Sequence, residues 1–313
     1  MTFREELHRR AGDLGRRVVL AEAGEERVRE AARLIEGRIG QVVAIDHAAS
    51  DHRRRAVADL LHERTGGALT TAEIERLVGD PVWLAAGLVA TGQADCAVAG
   101  AACPTANVIR AALRLIGPAP GTTRISSAFY MIVPWGSGER VLTFTDAGVN
   151  PDPDAVEMAE IARAAAHDRR YIVGDEPVVA FLSYSTKGSA DGPRVDKVRM
   201  AAEQFQAVEP DIVADGELQA DAALVPSIAE QKAPGSAVRG NANVLVFPDL
   251  DSGNIAYKLV QRLAGVGAVG PIVQGLAHPV ADLSRGASWE DIVDVSAVAL
   301  LQADPDASSE ETA

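Results

Sequence analysis

Three observations predict an α/β fold in two domains, with mostly parallel sheets and flanking helices. Short apolar runs alternate with helical stretches from Arg17 onward, the pattern of strands joined by crossover helices. The chain has 313 residues, enough for two substantial cores. Hydrophobic residues make up 47% and aromatic residues only 4%, which suits an interior of small aliphatic side chains on many helices and buried strands.

Met1 to Arg17 alternates charged and apolar residues as an amphipathic helix does, and it lacks the unbroken apolar centre of a signal peptide. Arg17 to Ala21 is a short apolar strand, and a helix follows Gly24-Glu25-Glu26 to about Ile35. Gln41 to Ile45 reads as the next strand and Asp51 to Glu63 as a helix. The two glycines of Glu63-Arg64-Thr65-Gly66-Gly67 break the pattern. Arg64 could reach a phosphate over a mobile loop, but a helix end with Arg complementing the dipole is the better local reading. Asp95 to Ala99 is a buried strand running into a turn of small residues, Gly100-Ala101-Ala102-Cys103-Pro104-Thr105, with a helix over Asn107 to Ile116. Ligand sites lie at such carboxyl ends of parallel strands. Arg110, within that helix, reads locally as a solvated charge, and Cys103 as a small buried residue rather than a nucleophile.

Pro118 to Thr123 is a turn-rich connector, placed as the first domain crossing. Ser126 to Val133 and Arg140 to Phe144 form a hairpin-like pair of strands, and a helix runs to about His167. Pro177 to Tyr184 is a buried strand, followed at once by Ser185-Thr186-Lys187-Gly188-Ser189. Hydroxyls, a Lys and a Gly after a strand suit a phosphate cradle, although the spacing is not that of a Walker loop. A polar turn fits equally well. Val195 to Val208 is a helix. Asp215, Glu217 and Asp221 read as an acidic loop with no metal-ligand pattern. Asn243 to Phe247 is a strand, and Asp251 begins a helix. Gly265-Val266-Gly267-Ala268-Val269-Gly270 matches the dinucleotide fingerprint in letters only, because it follows a helix and leads into a strand-like stretch. Ala303 to Ala313 is small and acidic and is expected to be disordered.

The net charge of −14 disfavours nucleic acid as a partner. Two cysteines support neither a disulfide framework nor a zinc cluster, and the six histidines show no ligand spacing. No stretch approaches the ~18 apolar residues of a membrane span. A cytoplasmic protein without a bound metal is expected. An acidic chain that handles small anions must concentrate a few arginines in one place.

The stretch His278-Pro279-Val280-Ala281-Asp282-Leu283-Ser284-Arg285-Gly286-Ala287-Ser288-Trp289-Glu290-Asp291 packs a hydroxyl, a guanidinium and several carboxylates into one short loop. A helix begins with Ser288 as N-cap and Asp291 at its third position, and runs to Leu301. Free N–H groups at a helix start attract anions, and Arg285 adds a permanent charge. The same residues also fit an ordinary capping box and a surface turn.

Several segments resemble the phosphate acetyltransferase (phosphotransacetylase) family. They are Leu182-Ser-Tyr-Ser-Thr-Lys-Gly-Ser189, Asp215-Gly-Glu-Leu-Gln-Ala-Asp-Ala-Ala223, and the block from Lys232 to Asp291 with Gly253-Asn-Ile-Ala-Tyr-Lys258 and Asp282-Leu-Ser-Arg-Gly286. The resemblance spans nearly the whole chain and is strongest after Asp146. It implies an isocitrate/isopropylmalate dehydrogenase-like architecture. Domain I would be residues 1–122 with 272–313, domain II residues 123–271, and coenzyme A would bind in the cleft. The implied reaction is acetyl-CoA + phosphate = acetyl phosphate + CoA, carried out by a homodimer, with coenzyme A, acetyl phosphate and inorganic phosphate as substrates and no permanent cofactor. By motif match the catalytic residues fall on Ser284, Arg285 and Asp291, and substrate-binding arginines on Arg64 and Arg110. Thr105 and Ser185, Thr186, Lys187, Gly188 and Ser189 complete the expected substrate contacts.

The first half departs from the family pattern. Thr65, Gly66 and Gly67 stand where lysines are usual, Cys103-Pro104-Thr105 where a Ser/Thr-rich turn is usual, and Ala111 and Ala21 where prolines are usual. Asp291 as base for the coenzyme A thiol would need burial to raise its basicity. Two readings compete with the transferase: a non-catalytic acetyl-CoA-binding regulatory domain, and an acyltransferase preferring propionyl or butyryl groups. A nicotinamide-dependent dehydrogenase of similar architecture would need a metal triad and cofactor loop, and neither is found in the sequence.

Overall fold

The computed structural model describes residues 1–45 and 51–303. His47 and all but the first residue of the expected disordered tail lie outside the described residues. The order of elements begins with α1 (Phe3–Leu14), β1 (Arg17–Leu20), α2 (Glu26–Ile35), β2 (Gln41–Val43), α3 (Asp51–Arg64), α4 (Thr71–Gly79), α5 (Pro81–Ala90), β3 (Cys96–Ala99) and α6 (Thr105–Leu115). It continues through β4 (Ser126–Trp135), β5 (Gly138–Thr145), α7 (Ala155–Ile172), β6 (Val178–Leu182), α8 (Pro193–Val208), β7 (Val213–Leu218), α9 (Ala220–Leu224) and α10 (Pro226–Lys232). The last elements are β8 (Val244–Val246), α11 (Leu250–Ala264), β9 (Gly267–Gln274), β10 (Val280–Asp282) and α12 (Trp289–Gln302).

The chain divides into two compact units, Met1–Thr123 with Gly270–Ala313, and Arg124–Val269. The first holds a four-stranded sheet in the order β10-β3-β1-β2. Every pairing in it is parallel, as short apolar strands separated by helices require. Alternate side chains of β1 and β3 point to opposite faces. Val19, Ala97 and Ala99 meet Val57, Leu61, Leu84 and Leu115 of α3, α5 and α6 in one buried cluster. On α12, every residue from Ile292 to Leu301 is buried, Val295, Val298 and Leu300 among the core residues, and this helix packs against α1, α2 and the sheet.

The second unit is built on a six-stranded sheet in the order β7-β6-β8-β5-β4-β9. β4 and β5 form an antiparallel hairpin, while β5–β8, β6–β8 and β6–β7 pair in parallel. Met158, Ala162, Val198 and Phe205 of α7 and α8 cover one face with Phe181 and Val244. Phe129, Leu142 and Leu245 belong to a separate core cluster, against which Tyr257 and Val260 of α11 pack. Among the described residues no helix is long and apolar enough to cross a membrane.

Three differences from the sequence reading bear on function. The stretch from His278 to Asp291 is not one loop, because Val280–Asp282 pairs with β3 as an edge strand. Residues 71–90, unassigned from sequence, form α4 and α5, each with a side-chain cap, from Thr70 and Asp80. The expected acidic loop holding Asp215 and Glu217 is instead β7, where both carboxylates are buried.

Candidate active site

In the first unit, Glu22, the Gly100–Ala102 turn and Asp282 gather at the carboxyl ends of β1, β3 and β10. Glu22, two residues beyond β1, is 8% exposed. Its carboxylate accepts the backbone N–H groups of Gly100 (3.1 Å), Ala101 (3.2 Å) and Ala102 (3.0 Å) in the turn after β3. Three successive amides aimed at one carboxylate make an anion nest, and here the anion belongs to the chain. Gly100 has φ +104°, and a Cβ there would lie 2.3 Å from Asp282 Oδ1 and within 2.8 Å of the Leu283 backbone. Only glycine lets β3 and the end of β10 approach this closely.

Asp282, the last residue of β10, is 1% exposed. Its Oδ2 accepts a hydrogen bond from Thr105 Oγ1 at 2.5 Å. Its Oδ1 has no partner in hydrogen-bonding geometry. Burial pushes the Asp282 carboxyl up to about 7, and the nearby Glu22 carboxylate adds to the rise, against the opposing pull of Thr105 and the Leu283 amide. Cys103 is half-buried beside the same groups. Burial, followed by the Glu22 and Asp282 carboxylates, pushes its thiol up to about 12, so it stays protonated and unreactive near neutral pH.

The loop beyond Asp282 rises to the surface. Leu283 is buried, while Ser284, Arg285 and Gly286 are exposed. Arg27 on α2 fastens this loop from beneath: Nη1 donates to the carbonyl oxygens of Arg285 (2.8 Å) and Ala287 (2.7 Å), and Nη2 to that of Ala101. At the start of α12, Ser288 Oγ accepts from the Asp291 amide at 3.2 Å and Asp291 Oδ2 accepts from the Ser288 amide at 2.9 Å. The capping box is therefore formed. Asp291 is only half-buried, which departs from the burial expected of it, because the capping box holds its side chain at the outer first turn of the helix.

Arg64 is the last residue of α3, followed by Gly66 and Gly67 at φ +57° and +75°. The local reading of a helix end was structurally right. Arg110 stands on α6, which begins at Pro104 without a side-chain cap, and Thr105 opens that helix. Arg64, Arg110 and Arg285 are all exposed, and among the described residues none of the three guanidinium groups has a carboxylate partner. A cavity of about 540 Å³ opens on the segment after β1, lined by Glu22, Glu25, Ile45, Arg54, Pro81 and Leu84 among others.

The Ser185–Ser189 turn of the second unit is differently occupied. The Gly188 amide donates to Glu217 Oε1 at 2.8 Å, the Lys187 amide to the Glu217 carbonyl, the Thr186 amide to Ser189 Oγ and the Ser189 amide to the Thr186 carbonyl. Ser185 Oγ donates to Glu217 at 3.0 Å, and Thr186 Oγ1 to Gln219 at 3.2 Å. The Lys187 ammonium pairs with Asp215, and Arg199 reaches Glu217 at 3.2 Å. The anion seat expected of this turn is filled by the side chain of Glu217, so the five residues meet but their amides face protein acceptors. Among the described residues no group of three or more His, Cys, Asp or Glu side chains could hold a metal.

Glu22 and Arg27 are not singled out in the sequence, where Asp282 reads only as one carboxylate of the 278–291 stretch and Glu217 only as part of an acidic loop. Their partners lie tens to hundreds of residues away, and no local spacing marks them.

Residues 36–300 match the family described as phosphate acetyl/butaryl transferase. The phosphate acetyltransferase of Thermoanaerobacterium thermosaccharolyticum is 46% identical over 288 residues, covering 91% of this chain and 87% of the relative. That of Treponema pallidum is 43% identical, covering 96% of this chain and 99% of the relative. Among solved structures, a phosphotransacetylase from Streptococcus pyogenes aligns with TM-score 0.86 at 37% identity, covering 96% of this chain and 98% of the other. The EutD phosphotransacetylase from Staphylococcus aureus aligns with the same score at 35% identity and the same coverage. On sequence and on fold alike, this chain belongs to the phosphate acetyl/butaryl transferase family.

Proposed function

We propose that this protein is an acyltransferase that moves an acetyl group between coenzyme A and inorganic phosphate, with acetyl phosphate as the second product. The observation that carries the reading is the Ser284-Arg285 pair on an exposed loop that runs directly into the capped start of α12 and Asp291, in a family whose members of similar length bear that activity's name.

A thiol with a pKa near ~8.5 is only slightly ionised at neutral pH. Asp291, half-buried in the free chain and further shielded from water when coenzyme A covers it, takes the proton from the coenzyme A thiol as sulfur attacks the carbonyl carbon of acetyl phosphate. The S–C bond forms, the carbonyl oxygen gathers negative charge, and the C–O bond to phosphate breaks as that oxygen charge collapses. Phosphate leaves with the bonding pair. Arg285, with Arg64 or Arg110, neutralises the phosphate and the developing oxyanion, a role often worth about 3 kcal/mol per donor. Ser284 hydrogen-bonds the reacting carbonyl or the thiol, and Thr105 supports the site through Asp282. The lack of a carboxylate partner for these arginines among the described residues supports this assignment, since an exposed guanidinium without a counter-charge can meet a substrate anion. No metal enters the chemistry, and coenzyme A is a substrate rather than a resident cofactor.

The reading extends to a homodimer acting in the cytoplasm. Ile255, Leu259 and Leu263, exposed at helical spacing on α11, support the dimer.

The test is thiol release from acetyl-, propionyl- and butyryl-CoA with and without phosphate. Phosphate-dependent release, fastest with acetyl-CoA, is expected. Faster release from butyryl-CoA would move the substrate assignment, and acetyl-CoA binding with no phosphate-dependent release would leave a regulatory domain. Asp291→Asn should lower kcat far more than it changes KM; unchanged turnover would remove Asp291 as the base.

A further inference from the structure

We propose that Asp282 is a positioning residue for the transfer reaction: its carboxyl ties the end of β10 to the first residue of α6, and so keeps Ser284 and Arg285 in register with the helix that carries Arg110. This inference rests on the transferase reading of those residues.

The geometry has three parts. Asp282 is the last residue of the strand that pairs with β3, opposite Ala99, and Ser284 and Arg285 follow it by two and three positions. Its carboxyl holds the hydroxyl of Thr105, the first residue of α6, five positions before Arg110. Its other oxygen is buried against Gly100 with no partner in hydrogen-bonding geometry. One side chain thus joins two segments 177 residues apart in sequence, each bearing a guanidinium assigned to the substrate anion.

The same surroundings select the neutral form. The titratable groups facing Asp282 are Glu22 and Cys103, one a carboxylate and the other a thiol that keeps its proton. No cation is paired with Asp282 among the described residues. An ionised Asp282 would place a second negative charge beside Glu22 in a buried site, with only the Thr105 hydroxyl and the Leu283 amide to offset it, an expensive arrangement. Arg27 holds the loop through the carbonyls of Arg285 and Ala287, and Asp282 holds the strand end that leads into it through Thr105.

The experiment compares wild type with Asp282→Asn, Asp282→Ala, Thr105→Val and the Asp282→Ala/Thr105→Val double variant. It reads kinetics of phosphate-dependent thiol release against pH, and amide hydrogen exchange of peptides covering 283–291. Asp282→Ala and Thr105→Val should each lower kcat, Asp282→Ala by on the order of a hundredfold, as expected when reacting groups are displaced by about an ångström. The double variant should be no worse than the more damaged single one. Both single variants should speed exchange at 283–287. Asp282→Asn, a neutral mimic, should restore most of kcat and slow exchange, and should abolish an alkaline fall in wild-type kcat near pH ~7.

Losses that multiply in the double variant, an Asn variant as damaged as the Ala variant, or an alkaline limb unchanged in Asp282→Asn would each overturn the proposal. Hydrogen exchange keeps it separate from the transferase reading. A wild type with no transfer, but with exchange that responds as stated, defeats the reaction and leaves the anchor. A wild type that transfers, with kinetics and exchange indifferent to Asp282→Ala, defeats the anchor alone.

Discussion

Each unit contains a turn of backbone amides closed around a buried carboxylate, and the two differ in what lies beyond it. In the second unit Glu217 sits in the Ser185–Ser189 turn with Arg199 at 3.2 Å, and neighbouring Asp215 is paired with Lys187. In the first unit Glu22 sits in the Gly100–Ala102 turn with the buried Asp282 nearby, and Arg64, Arg110 and Arg285 of the same unit stand exposed with no carboxylate partner among the described residues. The second arrangement closes its charges on itself and so holds a fold. The first leaves these guanidinium groups exposed and without a carboxylate partner among the described residues, while Glu22 and Asp282 stay buried at the strand ends. A loop rich in donors can offer a ligand only those donors that no acceptor of the protein already holds.

The largest effect that tests this contrast should come from Arg285. Its guanidinium is exposed, and only its backbone carbonyl is held, by Arg27. Arg285→Ala should therefore leave the melting temperature within a degree or two, a surface-level change. It should lower kcat for phosphate-dependent thiol release by about a hundred- to a thousandfold, the usual cost of losing a charge-stabilising donor. A large stability loss with modest kinetic change would mean that its charge is structural and that the contrast between the units is false.

Stability against pH should separate the two buried carboxyls. Burial alone would push Glu217 up, but the Gly188 amide, Arg199 and Ser185 together hold it below its ordinary value of 4.5. Its contribution is present above that value and is lost as pH falls through the lower folded value. Glu217→Gln should cost about 1.5–3 kcal/mol near neutral pH, the worth of a charge-assisted hydrogen bond, with the deficit shrinking only under acid. Asp282 carries the opposite sign. The folded state keeps a proton that the unfolded chain releases between the ordinary 3.8 and about 7, so its contribution falls as pH rises through that window. The melting temperature of Asp282→Asn relative to wild type should climb from pH 4 to 7 and then level. Parallel pH profiles for the two variants would show that the carboxyls do not differ as described.

The elements of this fold were legible where their cause is local. Alternating apolar runs and helical periodicity marked β1, β3, β6 and most helices, and Ser288-x-x-Asp291 announced its capping box because both partners lie within one turn. β10 was hidden because Val-Ala-Asp is three residues long inside a polar stretch, and its partner strand lies far upstream. Asp215 and Glu217 read as a loop because charge argues for solvent, whereas Lys187, Arg199 and the Gly188 amide, supplied by other segments, make their burial tolerable. Glu22 and Arg27 were invisible for the same reason, and Asp282 was seen only as a loop carboxylate because its partner Thr105 lies 177 residues away. Arg64 and Arg110 were read correctly as helix residues and could be marked as substrate ligands only by resemblance, since nothing in a helical arginine's neighbours tells what it will meet outside the chain.

The smallest effect is expected at Lys187, and it decides whether the turn in the second unit is held or open. Its ammonium is bonded to Asp215 and to the Gly216 carbonyl, while its side chain remains 41% exposed. A half-exposed ion pair of this kind contributes under about 1 kcal/mol. Lys187→Ala should lower the melting temperature slightly and move KM for coenzyme A by less than about fivefold, the equivalent of that same energy. Because every amide from Thr186 to Ser189 already has an acceptor in the protein, the ammonium would have to leave Asp215 to serve a phosphate, exposing a carboxylate to the incoming anion. A tenfold or larger rise in KM for coenzyme A, with the melting temperature unmoved, would show that it does so, and would return the turn to the substrate contacts that its sequence first suggested.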